Sequence, residues 1–355
     1  TAGLSDYKLA TKLVGLACNE RVVEVLAVRQ RPLADLPRVR NVNPGGLWGA
    51  TRPAYEVWRF FALRRLVRET APTAIVGIQL TLHGVQAALA AGRSPAVLSV
   101  IGTDVQVQLR CPWSRPLLRW ALNKASAVTV LGPVSGRLVR EAGVPPENVF
   151  EVQNYQEERR FRPEPSEVRW DVVYVGALSR LKRVDALVQA IHELWQDGVR
   201  ARLCVLGEGP ERARLEELAT RLGVADSVEF LGHRADVENY LHRSRVFAMA
   251  SESEALPAAA VEAMFCGLPV VLTDVGDVRA VFSEENAMIV PARDSAALVR
   301  ALRCLLSDSG AESALRKGAL EARDLYARRW SQAAQAKRWD EILAWACRGW
   351  SRGDR

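Results

Sequence analysis

DVVYVGALSRLKRVDALVQAI, residues 171–191, opens on a nearly unbroken apolar run, stops at Gly176, and resumes after a basic turn with apolar residues at helical spacing. A short run apolar throughout marks a strand covered on both faces, and a strand followed by a helix is the repeating unit of a parallel sheet. The alternation continues downstream through ARLCVLG (201–207), SVEFLG (227–232), VFAMAS (246–251), PVVLTDV (269–275) and AMIVPA (287–292). Upstream, strands are expected at Val22–Val28, Ala74–Ile78, Ala96–Ile101 and Ala127–Val130, with helices at Tyr55–Arg68 and Val85–Ala91. The segment RRFRPEPSEVRW, residues 159–170, has two prolines and no period and reads as a linker.

A chain of 355 residues exceeds what one hydrophobic core usually serves. The expected fold class is therefore α/β, with two Rossmann-like doubly wound domains facing a central cleft beyond the carboxyl ends of their strands. The expected limits are 1–166 for the first domain, 167–325 for the second, and 326–355 for helices returning to the first. A doubly wound domain normally begins with a strand, whereas TAGLSD leads straight into a helical pattern ending near Cys18. A first or edge strand absent from the sequence given is one expectation, and a naturally short terminus is the other.

Charge is unevenly placed. Residues 1–166 carry 22 Lys and Arg against 13 Asp and Glu, while the rest of the chain is close to neutral. The basic half suits an anionic partner or ordinary solubilisation. On the helix from Tyr55, Arg64, Arg65 and Arg68 share a face with Phe61, and RCPWSRPLLRW (110–120) repeats the mixture of arginine and tryptophan. Both fit either a packing helix or peripheral contact with an anionic membrane. Six scattered cysteines without a CxxC pair, and only four histidines, exclude a disulfide framework and a zinc site. No apolar run reaches bilayer length, and the expected location is cytoplasmic, with peripheral attachment to the inner face of the cell membrane. No nucleic-acid motif underlies the basic charge.

The chemistry concentrates in SESEALPAAAVEAMFCGLPVV, residues 251–271. Pro257 suits the first turn of a helix that Gly267 and Pro269 end, so the stretch reads as loop, helix and buried strand. The start of such a helix attracts phosphate, and Glu254 and Glu262 bracket it, Glu262 lying about 7.5 Å along the axis from Pro257. Two acceptors astride an anion site suit a ligand with a diphosphate between hydroxyl-bearing ends. Favourable dipole partners or surface acids are the plainer reading of two glutamates there.

Ser251, Glu254, Leu256, Pro257, Glu262, Ala263, Met264, Gly267, Pro269, Val270 and Val271 resemble the donor-site signature of the family-four retaining glycosyltransferases (GT-B fold, glycosyl transferases group 1). DVVYVGALSRLKRVDALVQAI, LGEGPERARLEEL, FLGHR, TDVG and MIVPARDSAALVRAL are similar to further segments of that family, and SVIGTDV and ENVFEVQNYQEERRF more loosely. The resemblance implies transfer of a sugar from a nucleotide-diphosphate sugar to a hydroxyl of a glycan or lipid-linked acceptor, with retained configuration and neither cofactor nor metal, in cell-envelope or exopolysaccharide synthesis. It makes Glu254 and Lys182 catalytic, with Glu254 on the transferred sugar and Lys182 on the diphosphate. Donor binding then involves Glu262 on the ribose, with Ser251, Ala255, Leu256, Pro257, Gly176, Arg180, Arg183, Gly207, Gly232, His233 and Arg234. The acceptor side comprises Gly3, His83, Gly102, Thr103 and Asp104.

Three positions depart from the family. Ala177 stands where an arginine is usual, so Arg180 or Arg183 is expected to supply the missing cation. Ala255 replaces a glycine, and Ile101 a histidine. These departures keep a second reading in play, a nucleotide-sugar-binding regulatory subunit without turnover; a sugar-nucleotide epimerase of the same architecture is a third, without motif support.

Overall fold

The computed structural model describes residues 6–28, 36–43 and 52–348. The chain divides into two compact units, Thr1–Tyr155 with Arg329–Arg355, and Gln156–Arg328.

In the first unit the strands β1 (Val25–Val28) and β2 (Val39–Val42) pair in parallel. Four more strands, β3 (Ile75–Ile78), β4 (Ala96–Ser99), β5 (Ala127–Val130) and β6 (Val149–Glu151), lie side by side in that order, all parallel. One face of this sheet is covered by a core that includes Leu98, Val128, Leu118, Leu122 and Val139. The other is covered by Leu13, Leu16, Trp339 and Ile342. The last two come from the helix Gln332–Ala346, which packs on the helix Asp6–Ala17. That contact is tight, since a Cβ on Gly15 would lie 2.4 Å from the Trp339 ring. Asn19 Nδ2 adds a hydrogen bond to Asp340 Oδ1 at 2.7 Å.

The second unit is a six-stranded parallel sheet of β7 (Trp170–Val175), β8 (Leu203–Leu206), β9 (Val228–Gly232), β10 (Ser244–Met249), β11 (Val270–Thr273) and β12 (Ala287–Val290). Its order, β12-β11-β10-β7-β8-β9, is that of a doubly wound sheet. Val172, Val173, Leu203, Val205, Val246, Phe247, Val270 and Val271 are fully buried, which is why their strands read as continuous apolar runs.

Several expectations shift. The strand expected at Ala96–Ile101 ends at Ser99, because the Asp104 carboxylate draws the Ile101 and Gly102 N–H groups into a turn. The first strand begins at Val25 rather than Val22, and β2 was not anticipated. Residues 159–170 are not a free linker: Phe161 is 1% exposed, Arg160 pairs with Glu238 at 2.8 Å, and Trp170 already belongs to β7.

Candidate functional site

In the second unit β7 and β10 are neighbours although two strands separate them in sequence, the reversal at which a doubly wound sheet opens a crevice beyond its carboxyl ends. The loops leaving those two ends are stitched by the Glu252 N–H, which donates to the Leu181 carbonyl at 2.8 Å. Across the stitch, Lys182 Nζ donates to Glu254 Oε1, and Ser251 Oγ donates to the same oxygen at 2.9 Å. The Lys182 and Glu254 side chains are 24% and 12% exposed, so solvent screens their attraction only in part. Ser251 is pinned in turn by Thr273 Oγ1, which donates to its carbonyl at 2.5 Å.

Glu252 was not singled out by sequence. One of its oxygens meets Arg183 at 3.0 Å and the other Arg293 at 2.8 Å, and these arginines, Arg293 first, hold its carboxyl below the usual carboxylate range. Arg183 occupies the left-handed region at φ 49, between the turn Arg180–Lys182 and the helix Val184–Gln196. Its charge is divided between Glu252 and Asp185. Arg180 is 87% exposed and, among the described residues, pairs only with Glu211, at 3.5 Å, which makes it the freer of the two cations near Ala177.

The floor of the crevice admits no bulk. Gly207 has φ 141, and a Cβ there would lie 1.8 Å from the Gly176 carbonyl oxygen; one on Gly209 would lie 2.2 Å from that of Leu178. Beneath the first loop, the buried Tyr174 hydroxyl donates to the Ala177 carbonyl at 2.9 Å. Burial, followed by the charge of Glu254, pushes the Tyr174 phenol above its ordinary range. Tyr174 too escaped notice, since it reads as one more apolar residue of its strand.

Pro257 precedes the helix Ala258–Phe265, which has no side-chain cap, so its first N–H groups point back along the loop. Glu262 sits on that helix at 6% exposure; burial, then the Glu262 charge, raises the Cys266 thiol to about 12. Ala255 and Leu256 are buried, and Ala255 is not among the residues with positive φ, so the backbone there does not require glycine. Gly232 ends β9 at φ 74, with His233 and Arg234 exposed beyond it, two strands away from β7.

In the first unit, Asp104 is 1% exposed and its carboxylate accepts the N–H groups of Leu80 (2.9 Å), Gly102 (2.8 Å), Val105 (3.0 Å) and Ile101 (3.2 Å). Burial raises its pKa, and the donors at Leu80, Ile101 and Gly102 oppose that rise. Asp104 therefore ties together the loops beyond β3 and β4. Gly102 needs its freedom at φ 134, and Thr103 opens the short helix Thr103–Gln106. Gly3 lies outside the described residues.

His83 lies on the turn Leu80–Gly84, a single π-helical turn beyond β3, with Nδ1 3.0 Å from the Ile78 carbonyl. Burial, then the nearby Arg59, lowers its pKa to about 4. A neutral ring beside a carbonyl carries its proton on Nδ1, which leaves Nε2 an acceptor. Arg59 is itself 7% exposed, held by Glu56 at 2.6 Å and Gln86 at 2.7 Å.

Residues 155–322 match the family described as Glycosyl transferases group 1, and residues 12–155 match the Glycosyl transferase 4-like domain. Over 340 residues, 86% of each chain, the sequence is 28% identical to a 2-deoxystreptamine glucosyltransferase of Streptomyces kanamyceticus. It is 27% identical over 196 residues to an N-acetyl-alpha-D-glucosaminyl L-malate synthase of Bacillus anthracis, a match covering 52% of this chain and about half (51%) of that relative's length. The fold is shared with the Anabaena protein HepE, solved in complex with UDP, at a TM-score of 0.78 and 19% identity over 97% of both chains.

Proposed function

Because the chain belongs to the glycosyl transferases group 1 family, we propose that it is a retaining, metal-independent glycosyltransferase that moves a sugar from a nucleotide-diphosphate sugar to a hydroxyl of a glycan or lipid-linked acceptor in cell-envelope or exopolysaccharide synthesis. The observation that carries this reading is the joining of Lys182, Glu254 and Ser251 at the β7–β10 reversal, next to an uncapped helix that bears Glu262. A diphosphate arriving beside Lys182 competes with Glu254 for the ammonium and releases the carboxylate to accept hydroxyls of the transferred sugar. Lys182, Arg180 and the first N–H groups of the helix then stabilise the charge that grows on the departing nucleotide diphosphate, a task fixed protein dipoles perform without reorganising. Retention follows if the departing phosphate takes the acceptor proton on the face it leaves.

A uridine donor is the first to test, since HepE was solved with UDP and with UDP-glucose. Melting curves with UDP-, GDP- and ADP-sugars should show one nucleotide class raising the midpoint. Product analysis by NMR should find the donor anomer preserved, with turnover unchanged by EDTA. An inverted product or loss of turnover with chelator would contradict the mechanism. Binding without turnover across a panel of acceptors would favour the regulatory reading that Ala177, Ala255 and Ile101 motivate. Among the described residues no helix is long and apolar enough to cross a membrane, and peripheral attachment at the cytoplasmic face is part of the proposal.

A further inference from the structure

We propose that Glu252 is a positioning residue that acts through Leu181 and Arg183, on either side of Lys182, to hold the Lys182 ammonium and the Glu254 carboxylate in place for a nucleotide diphosphate. The inference deepens the function above and rests on its placement of a donor at the β7–β10 reversal. Glu252 reaches the loop after β7 twice. Its N–H donates to the Leu181 carbonyl at 2.8 Å, and its carboxylate meets the Arg183 guanidinium at 3.0 Å, so the residues before and after Lys182 are both gripped by one residue. Glu254, which pairs with Lys182, lies on the same loop as Glu252. A displacement of Glu252 therefore disturbs both members of that pair.

The backbone shows that these contacts select a conformation. Arg183 stands at φ 49 and Arg293 at φ 66, in the left-handed region that disfavours any residue with a Cβ. Both arginines converge on Glu252, one on each carboxylate oxygen, at 3.0 and 2.8 Å. They arrive from different loops, Arg183 after β7 and Arg293 after β12, a strand that neighbours neither β7 nor β10. A carboxylate shared between them ties those loops to its own and offsets the unfavourable backbone of each. The turn Arg180–Lys182 and the helix Val184–Gln196 have no side-chain cap, so the acids facing Arg183 fix its side chain. Asp185, at 3.2 Å, sits on that helix and moves with it, whereas Glu252 anchors Arg183 to the loop of another strand. The Glu252 and Arg183 side chains are 22% and 24% exposed, against 72% for Arg293, so the Arg183 arm is the less screened of the two. With its charge divided between two acids, Arg183 is a poorer phosphate ligand than Arg180, and its part is to steer Lys182.

Charge and position predict effects of opposite sign. An acid that merely lies near an anion site repels the anion, so its removal tightens binding; removing a clamp lets Lys182 drift and weakens it. The test is titration of the full chain with UDP, GDP and ADP, each beside its own nucleoside, which shares base and ribose but brings no phosphate. For the base that binds, Glu252→Gln should weaken the diphosphate ~tenfold, the scale of one charge-assisted hydrogen bond, and leave the nucleoside unchanged. Its circular dichroism should match the parent. Arg183→Gly, free to adopt a φ of 49, should weaken the diphosphate to a similar extent. The double variant has the parent's net charge, yet should bind the diphosphate no better than either single variant, with a loss far below the product of the two, because both changes remove the same contact. Tighter or unchanged diphosphate binding by Glu252→Gln, an equal loss for the nucleoside, or parent-like affinity in the double variant overturns the proposal. A parent that binds no diphosphate more tightly than its nucleoside removes the donor site and this clamp together. Diphosphate preference without sugar transfer to any acceptor leaves the clamp standing and sinks the enzymatic reading alone.

Discussion

Glu254 and Lys182 share one hydrogen bond, so their removal should have different effects. Lys182→Ala takes away charge needed as the leaving group departs and should cut turnover ~100- to 1000-fold, the usual cost of losing one such stabilising group. Glu254→Gln keeps the shape but removes the charge and one of the two oxygens that accept sugar hydroxyls, so donor affinity should fall along with turnover. Steady-state kinetics and donor titration on both variants separate the two effects. Gly207→Ala is a structural counterpart: with the new Cβ 1.8 Å from a carbonyl oxygen and φ at 141, the strand end must shift. A loss of about 3 kcal/mol or more in urea unfolding is expected. His83 supplies the pH test. Its folded-state pKa of about 4 lies below the ordinary 6.5, so the unfolded chain takes up a proton that the folded chain refuses. Stability is whole above pH 6.5 and declines as pH falls toward 4, by about 3 kcal/mol at the ~1.4 kcal/mol carried by each pK unit. His83→Gln should flatten that part of the profile. The glutamates were legible in sequence because their spacing sits in a frame of many matching positions. Glu252 and Tyr174 were not, because one looks like any surface acid and the other like core, and only the fold shows what each contacts.

Local secondary structure was readable wherever burial is two-sided. β7, β8, β10 and β11 announce themselves as apolar runs, and the helix after Pro257 by its proline start and glycine stop. VRNV at β2 gave no such signal: it is short, polar at its centre and, among the described residues, paired only with β1. The early end of β4 was hidden for another reason, since it depends on a carboxylate five residues beyond the strand. That dependence can be tested. Asp104→Asn keeps one accepting oxygen but turns an amide NH2 toward backbone donors, and should cost about 2–3 kcal/mol in urea unfolding. Hydrogen exchange should speed up at Leu80, Ile101, Gly102 and Val105 together, since all four N–H groups share that carboxylate.

At the scale of the whole chain, the alternation of strands and helices was enough to read two doubly wound units. It could not show that the segment around Phe161 packs into the second unit, because a lone phenylalanine among prolines and charges carries no period. Uneven charge pointed to the basic half without showing which cations are neutralised, as Arg65 is by Glu69. The first unit takes its lower core from both ends of the sequence, so Trp339→Ala should cost about 3–5 kcal/mol and unsettle the helix Asp6–Ala17, read as faster exchange there.

That shared core also sets an order of events on the ribosome. Leu13 and Leu16 are made before the second unit, yet their partners Trp339 and Ile342 emerge only after the whole of that unit has been translated, roughly 15–60 s later at ~5–20 residues per second. The unit begun before the other is completed after it, and throughout that interval the apolar face of the helix Asp6–Ala17 travels uncovered on the nascent polypeptide.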